Sequence, residues 1–371
     1  MPVTTLTRRE LNRATLARQL LLEREKTPVL RAIERLAGFQ AQLARPPFIG
    51  LWSRVEGFQR EALTRLLLRR EVVRAPLMRC TLHLMSAKDY VKLRASLQPV
   101  LADAMRSALR ERAKGLDVEA LSAAARTFFE EEPRTFEELR AFLLERYPKG
   151  DERAMGYAVR TQLPLVQVPT ETEWGYPGTA DFAVAESWLG EPLDTDESPH
   201  PLVLRYLAAF GPASVSDVQT WSGLKGLRDV LEELRPKLRT FQDERGRELF
   251  DLPKAPRPPE DTLAPVRFLS EYDNLVLAHD DRTRLIADAH RSAIFKSNLR
   301  ILPTFLVEGF VAGTWKVERK KASATLVLEP FETLAKKVRA ELEEEGDGLV
   351  RFVEEDASAF EVRFEKLQKT G

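Results

Sequence analysis

Cysteine is all but missing: Cys80 stands alone among 371 residues, so an intramolecular disulfide framework is excluded and a reducing compartment is expected. Histidine is scarce too. His83, His200, His279 and His290 are scattered without companion cysteines, so no zinc-ligand spacing occurs, and no metal or cofactor is expected. No stretch approaches the roughly 18 uninterrupted apolar residues of a membrane span. Arg8, Arg9, Arg13 and Arg18 interrupt any signal-peptide pattern. The chain is therefore expected in the cytoplasm, without a membrane partner. An excess of charge of one sign is also missing, since 57 basic and 57 acidic residues cancel. That balance argues against a protein that coats nucleic acid through bulk charge alone.

What is present is a folding composition, 43% hydrophobic and 31% charged. The length suggests two to four domains. Charge is unevenly placed: the first 80 residues hold sixteen Arg or Lys against seven Asp or Glu, while Asp194-Thr195-Asp196-Glu197 and Glu343-Glu344-Glu345 offset them later. The basic portion reads either as a surface for a polyanion or as ordinary solvated helix faces.

Within it stands Gln40-Ala41-Gln42, two carboxamides one residue apart. A helix precedes them, with Thr27 as N-cap, Pro28 at the first helical position, Val29, Ile33 and Leu36 on one face, and Gly38 past its end. An extended run from residue 39 would point both glutamines to one side, converging four polar atoms. Met78 to Met85 alternates strictly, so it is expected as a strand with Arg79, Thr81 and His83 on its polar face. That row either contacts phosphates or simply meets water. Ser86 with Asp89 opens the helix that follows.

From residue 116 the order is helix, helix, helix and hairpin, with a capping box at Thr135 and Glu138, and strands at Leu165 to Val168 and Asp181 to Val184. The same order returns from residue 199. There Ser214 and Asp217 form a second box, and strands Leu238 to Gln242 and Glu248 to Leu252 flank a wing-like turn. This is the order of a winged helix-turn-helix. Pro253 to Pro265, with five prolines, reads as a linker. Strand runs follow at Val266 to Leu269, Arg300 to Val307, Val311 to Val317 and Ala324 to Leu328, then a helix near 331 to 345, then Leu349 to Val353 and Phe360 to Phe364. The fold class is therefore α+β, with tandem winged helix-turn-helix units: a winged-helix-like unit with the Gln-x-Gln motif over residues 1–115, winged-helix units over 116–198 and 199–262, then a β-rich domain over 263–371. The turn Arg319-Lys320-Lys321 is either a phosphate contact or an edge guarded against aggregation.

Gly38-Phe39-Gln40-Ala41-Gln42, Arg79-Cys80-Thr81-Leu82-His83, Phe210-Gly211-Pro212-Ala213 through Trp221-Ser222-Gly223, Glu271-Tyr272-Asp273-Asn274-Leu275 and Gly313-Thr314-Trp315 together resemble the bacterial winged-helix DNA glycosylases of the AlkZ-like group. The resemblance covers nearly the whole chain. It implies three winged-helix units and a β domain around a DNA channel, excision of N-alkylated purines and, in some members, unhooking of interstrand crosslinks. It also implies that Gln40 and Gln42 act on the hydrolytic water, in the Gln-x-Gln branch of a family whose other branch carries Gln-x-Asp. Arg79, Thr81, His83, Arg319, Lys320 and Lys321 are then expected as DNA contacts. The partner is double-stranded DNA with alkylated bases, met by a nucleoid-associated monomer. A non-enzymatic winged-helix regulator is the alternative.

Overall fold

The computed structural model describes residues 4–366. The helix before the glutamines spans Val29–Arg35, and Pro28 rather than Thr27 is its N-cap. Ala37 N–H donates to Glu34 O at 3.2 Å and Gly38 N–H to Ile33 O at 3.0 Å, with both residues at positive φ. This pair of bonds satisfies the last helical carbonyls and reverses the chain. Gly38 is required there, because a Cβ would lie 2.6 Å from the Leu84 carbonyl oxygen. The chain then enters the short strand Phe39–Gln40, which pairs antiparallel with Leu82–Ser86 so that Gln40 faces His83. Val72–Pro76 pairs with the far side of Leu82–Ser86 and completes a three-stranded sheet.

The strand expected over Met78 to Met85 begins only at Leu82. Leu77 to Thr81 is instead the turn between the two long strands: Leu77 N–H donates to Thr81 O at 3.0 Å, and Arg79 and Cys80 take positive φ of 55° and 57°. Arg79, Thr81 and His83 therefore do not form one strand face, because two of the three belong to a reversal where alternation does not apply.

Residues Val118–Glu131, Phe136–Arg146 and Glu152–Gln162 are helices, followed by the antiparallel pair Leu165–Gln167 and Phe182–Val184. Helices His200–Phe210, Val215–Ser222 and Leu227–Leu234 precede the antiparallel pair Arg239–Asp243 and Glu248–Asp251. Both expected capping boxes form, at Thr135 with Glu138 and Ser214 with Asp217. Thr5–Leu6, not expected as a strand, adds in parallel to Arg239–Asp243.

The last hundred residues build a five-stranded sheet in the order Ala359–Phe364, Ser323–Pro330, Phe310–Lys320, Thr304–Val307, Arg267–Leu269. Leu349 to Val353, expected as a strand, is the end of a helix spanning Lys336–Val353. Leu342, Leu349, Val350 and Val353 bury one face of that helix against the sheet core. Among the described residues no helix is long and apolar enough to cross a membrane.

Buried ion pairs fasten the N-terminal segment to the rest. Arg54 reaches both carboxylate oxygens of Asp273, at 3.0 and 2.9 Å, and Arg18 reaches both of Asp251, at 2.7 and 2.8 Å. Asn274 donates to Gly38 O at 3.1 Å and so ties the β-rich segment to the turn that delivers the glutamines. Removing one partner of a buried pair strands the other's charge. Asp273→Ala is therefore expected to cost about 3–5 kcal/mol, read as a lowered urea midpoint; an unchanged midpoint would show that Arg54 does not depend on it.

Candidate active site

Gln42 lies just past the strand and is exposed. Its Oε1 accepts from Leu82 N–H at 2.8 Å, continuing the ladder with a side chain where the backbone has turned away. The preceding rung is Ala41 N–H to Leu82 O at 2.7 Å. Arg74 holds this segment from the third strand, with Nε donating to Ala41 O at 2.8 Å and Nη2 to Gln42 O at 3.1 Å. Its guanidinium lies over the Tyr176 ring, 4.9 Å from the centroid. Burial lowers the Arg74 pKa to about 10, so it remains a cation at neutral pH.

Gln40 is buried, and its Oε1 accepts from Arg79 Nη2 at 2.6 Å. Arg79 Nη1 also donates to Trp221 O, in the last turn of the helix Val215–Ser222. Arg79 thus couples the first glutamine to a helix far along the chain. Burial, with a smaller contribution from Arg282, lowers its pKa to about 10 as well. His83 is fully buried opposite Gln40, with Nδ1 at 2.9 Å from Thr81 O. If Nδ1 carries the proton it donates to that carbonyl, and Nε2, which has no partner among the described residues, is a bare acceptor. Burial first and Arg79 second lower the His83 pKa to about 3, so the ring is neutral at physiological pH.

Gln40 lies opposite His83 across the sheet and is bonded to Arg79, while Gln42 is bonded to the Leu82 N–H, so the four lie on or next to the two paired strands and the turn Leu77 to Thr81. The other sequence-derived contacts lie elsewhere or are already engaged. Thr81 Oγ1 donates to Met78 O at 3.1 Å within the turn. Arg319 pairs with Asp356 at 2.8 Å and Glu354 at 3.5 Å, while Lys320 and Lys321 are exposed at the hairpin tip. His83 is enclosed and offers no surface to a phosphate. Sequence reasoning missed Arg74 and the Trp221 carbonyl. An arginine inside the apolar run Val72-Val73-Arg74-Ala75-Pro76 was the available sign of the first; a backbone oxygen carries no sign at all. Among the described residues no group of three or more His, Cys, Asp or Glu side chains could hold a metal ion.

The family model of AlkZ-like DNA glycosylases matches residues 33–352. The chain belongs to the AlkZ-like DNA glycosylase family. Over 155 residues it is 26% identical to an interstrand DNA cross-link repair glycosylase of Streptomyces sahachiroi, an alignment covering 38% of this chain and 39% of that protein. Its fold is similar to that of the Streptomyces sahachiroi DNA glycosylase AlkZ, with a TM-score of 0.81 at 22% identity over 98% of this chain and 100% of the other.

A neutral buried imidazole has a consequence for pH. The folded state holds His83 far below its ordinary value, so its contribution to stability is full above about pH 6.5 and is lost as pH falls toward 3. The ring resonances of His83 are accordingly expected not to titrate between about pH 8 and pH 5. A midpoint near the ordinary value in an NMR titration would contradict the enclosed geometry.

Proposed function

We propose that this AlkZ-like chain hydrolyses the N-glycosidic bond of N-alkylated purines in double-stranded DNA, with Gln40 and Gln42 arranging the attacking water, and that interstrand crosslinks are among its substrates. On this reading residues 1–115, 116–198 and 199–262 are winged-helix units that present the duplex to the glutamines, and 263–371 is the β-rich domain that braces them. Support comes from family membership, from the helix–helix–helix–hairpin order of the second and third units, and from the cross-link repair glycosylase to which part of the chain is similar. The observation that carries the reading is that both amide oxygens are held by fixed donors, Arg79 on Gln40 and Leu82 N–H on Gln42.

A purine alkylated at N7 or N3 is already cationic. As its bond to C1′ breaks, the electron pair passes to the base, which leaves neutral without being protonated. Water adds to C1′ and its proton goes to solvent. No pair of carboxyl groups is needed, unlike the usual glycosidase. What is needed is a water held near C1′ and dipoles fixed before the sugar gains positive charge. An amide oxygen that accepts one hydrogen bond keeps a second lone pair, and its NH2 keeps two donors. Gln42, exposed and held by an uncharged donor, is the better placed to meet the sugar. Gln40, buried and bonded to a cation, is too weak an acceptor to serve as a base and acts by orientation.

Gln40→Ala and Gln42→Ala are expected to slow single-turnover release of 7-methylguanine from methylated duplex by about a hundredfold, assayed without added metal, while DNA affinity stays within a few-fold. Undiminished release in both variants would reject the assignment. Site-specific footprints on undamaged DNA with no base release by the unaltered protein would favour the regulator.

A further inference from the structure

A cavity of about 540 Å³ opens beside Gln42, between the sheet that carries the glutamines and the helical unit that follows. Its size falls within the range of about 300–1,000 Å³ typical of small-molecule pockets. Leu82, Phe136 and Phe182 give it apolar and aromatic surface. Among the described residues Glu137 is its only acidic lining residue, against Arg74, Arg140 and Arg160. Arg140 is matched by Glu152 at 3.1 Å, whereas Arg74 and Arg160 have no carboxylate partner among the described residues. Arg74 is spent on two backbone carbonyls, and Arg160 lies 5.8 Å from the centroid of the Phe136 ring. Two further lining residues, Gln167 and Tyr176, are more than nine-tenths buried, and Gln167 Oε1 and the Tyr176 hydroxyl are without protein partners. Neither atom reaches the accessible surface of the cavity, so what the lining offers a ligand is apolar and aromatic surface beside guanidinium groups that no carboxylate neutralises.

We propose that this cavity receives the purine as its bond to the sugar breaks, and that Arg160 and Arg74 favour the departing base over the cation it had been. The inference rests on the glycosylase reading above. An alkylated purine still joined to C1′ carries a positive charge that two unneutralised guanidinium groups oppose. Once the bonding pair has moved onto the ring, the base is neutral and the positive charge has passed to the sugar outside the cavity, so the opposition within the cavity falls and the wall acts on the step in which charge leaves the ring. The aromatic side chains of the lining pack against the released base.

Two measurements test this. In calorimetry with the full chain, free 7-methylguanine and 3-methyladenine are expected to bind, and the cationic nucleoside 7-methylguanosine at least about tenfold more weakly. Arg160→Met is expected to raise binding of 7-methylguanosine toward that of the free bases and to slow single-turnover release about tenfold, with affinity for undamaged DNA within twofold; Arg160→Lys, which keeps the charge, restores most of the discrimination and of the rate. Absence of base binding, or equal binding of base and cationic nucleoside, overturns the proposal. So does an Arg160→Met variant that loses DNA affinity while releasing base from bound DNA at the full rate, since that describes a phosphate contact. These failures leave the glycosylase reading intact provided the unaltered protein releases base. Absence of release would sink that reading by its own assay, and calorimetry would still decide whether the cavity takes a purine.

Discussion

One guanidinium ties the site together. Arg79 donates to the side-chain oxygen of Gln40 and to the backbone oxygen of Trp221, residues from two separate parts of the chain. It does so from a turn in which it adopts a positive φ of 55°, a conformation uncommon outside glycine, asparagine and aspartate. The reversal from Leu77 to Thr81 is thus more than a connection between strands. It carries the one side chain that fixes which way the first amide points, and it refers that amide to the last turn of the helix Val215–Ser222.

The electrostatics around the glutamines follow from the same choice of partners. Arg74 and Arg79 are desolvated, yet carbonyl oxygens rather than carboxylates receive their protons. Carbonyls satisfy the donors without cancelling the charge. The region therefore stays positive beneath a neutral surface of amides and a neutral imidazole, and the acids that balance the chain lie elsewhere. Asp251 and Asp273 neutralise Arg18 and Arg54, and Glu354 and Asp356 face Arg319. A net charge of zero conceals that division.

Features encoded by neighbours a few residues apart were legible in the sequence. Ser214 with Asp217 and Thr135 with Glu138 cap their helices as expected, and Asp89 N–H reaches Ser86 Oγ at 3.2 Å. Hairpins bounded by turn residues were found within a residue or two. What failed depended on distant partners. Val72–Pro76 was not read as a strand; Arg74 interrupts its apolar run, and the carbonyls of Ala41 and Gln42 with the Tyr176 ring accommodate that arginine. Thr5–Leu6 becomes a strand only by pairing with residues more than two hundred positions away. Leu349 to Val353 reads as a strand alone and as a helix once Leu342, seven residues earlier, is counted on the same buried face. Gln40 and Gln42 stood out because carboxamides so close together invite explanation; Arg79, the fixing partner of Gln40, was placed on a strand face toward phosphates because its turn was invisible.

On the proposed reading Arg79 works by orienting Gln40 rather than by holding DNA. Single-turnover base release by Arg79→Met on methylated duplex, at protein concentrations that saturate the DNA, tests it most directly. On that reading release is expected to be at least about tenfold slower, with DNA affinity within twofold and an unchanged dependence of binding on salt. Full-rate release from bound DNA, together with weaker binding and a shallower salt dependence, would contradict it and make Arg79 a phosphate contact.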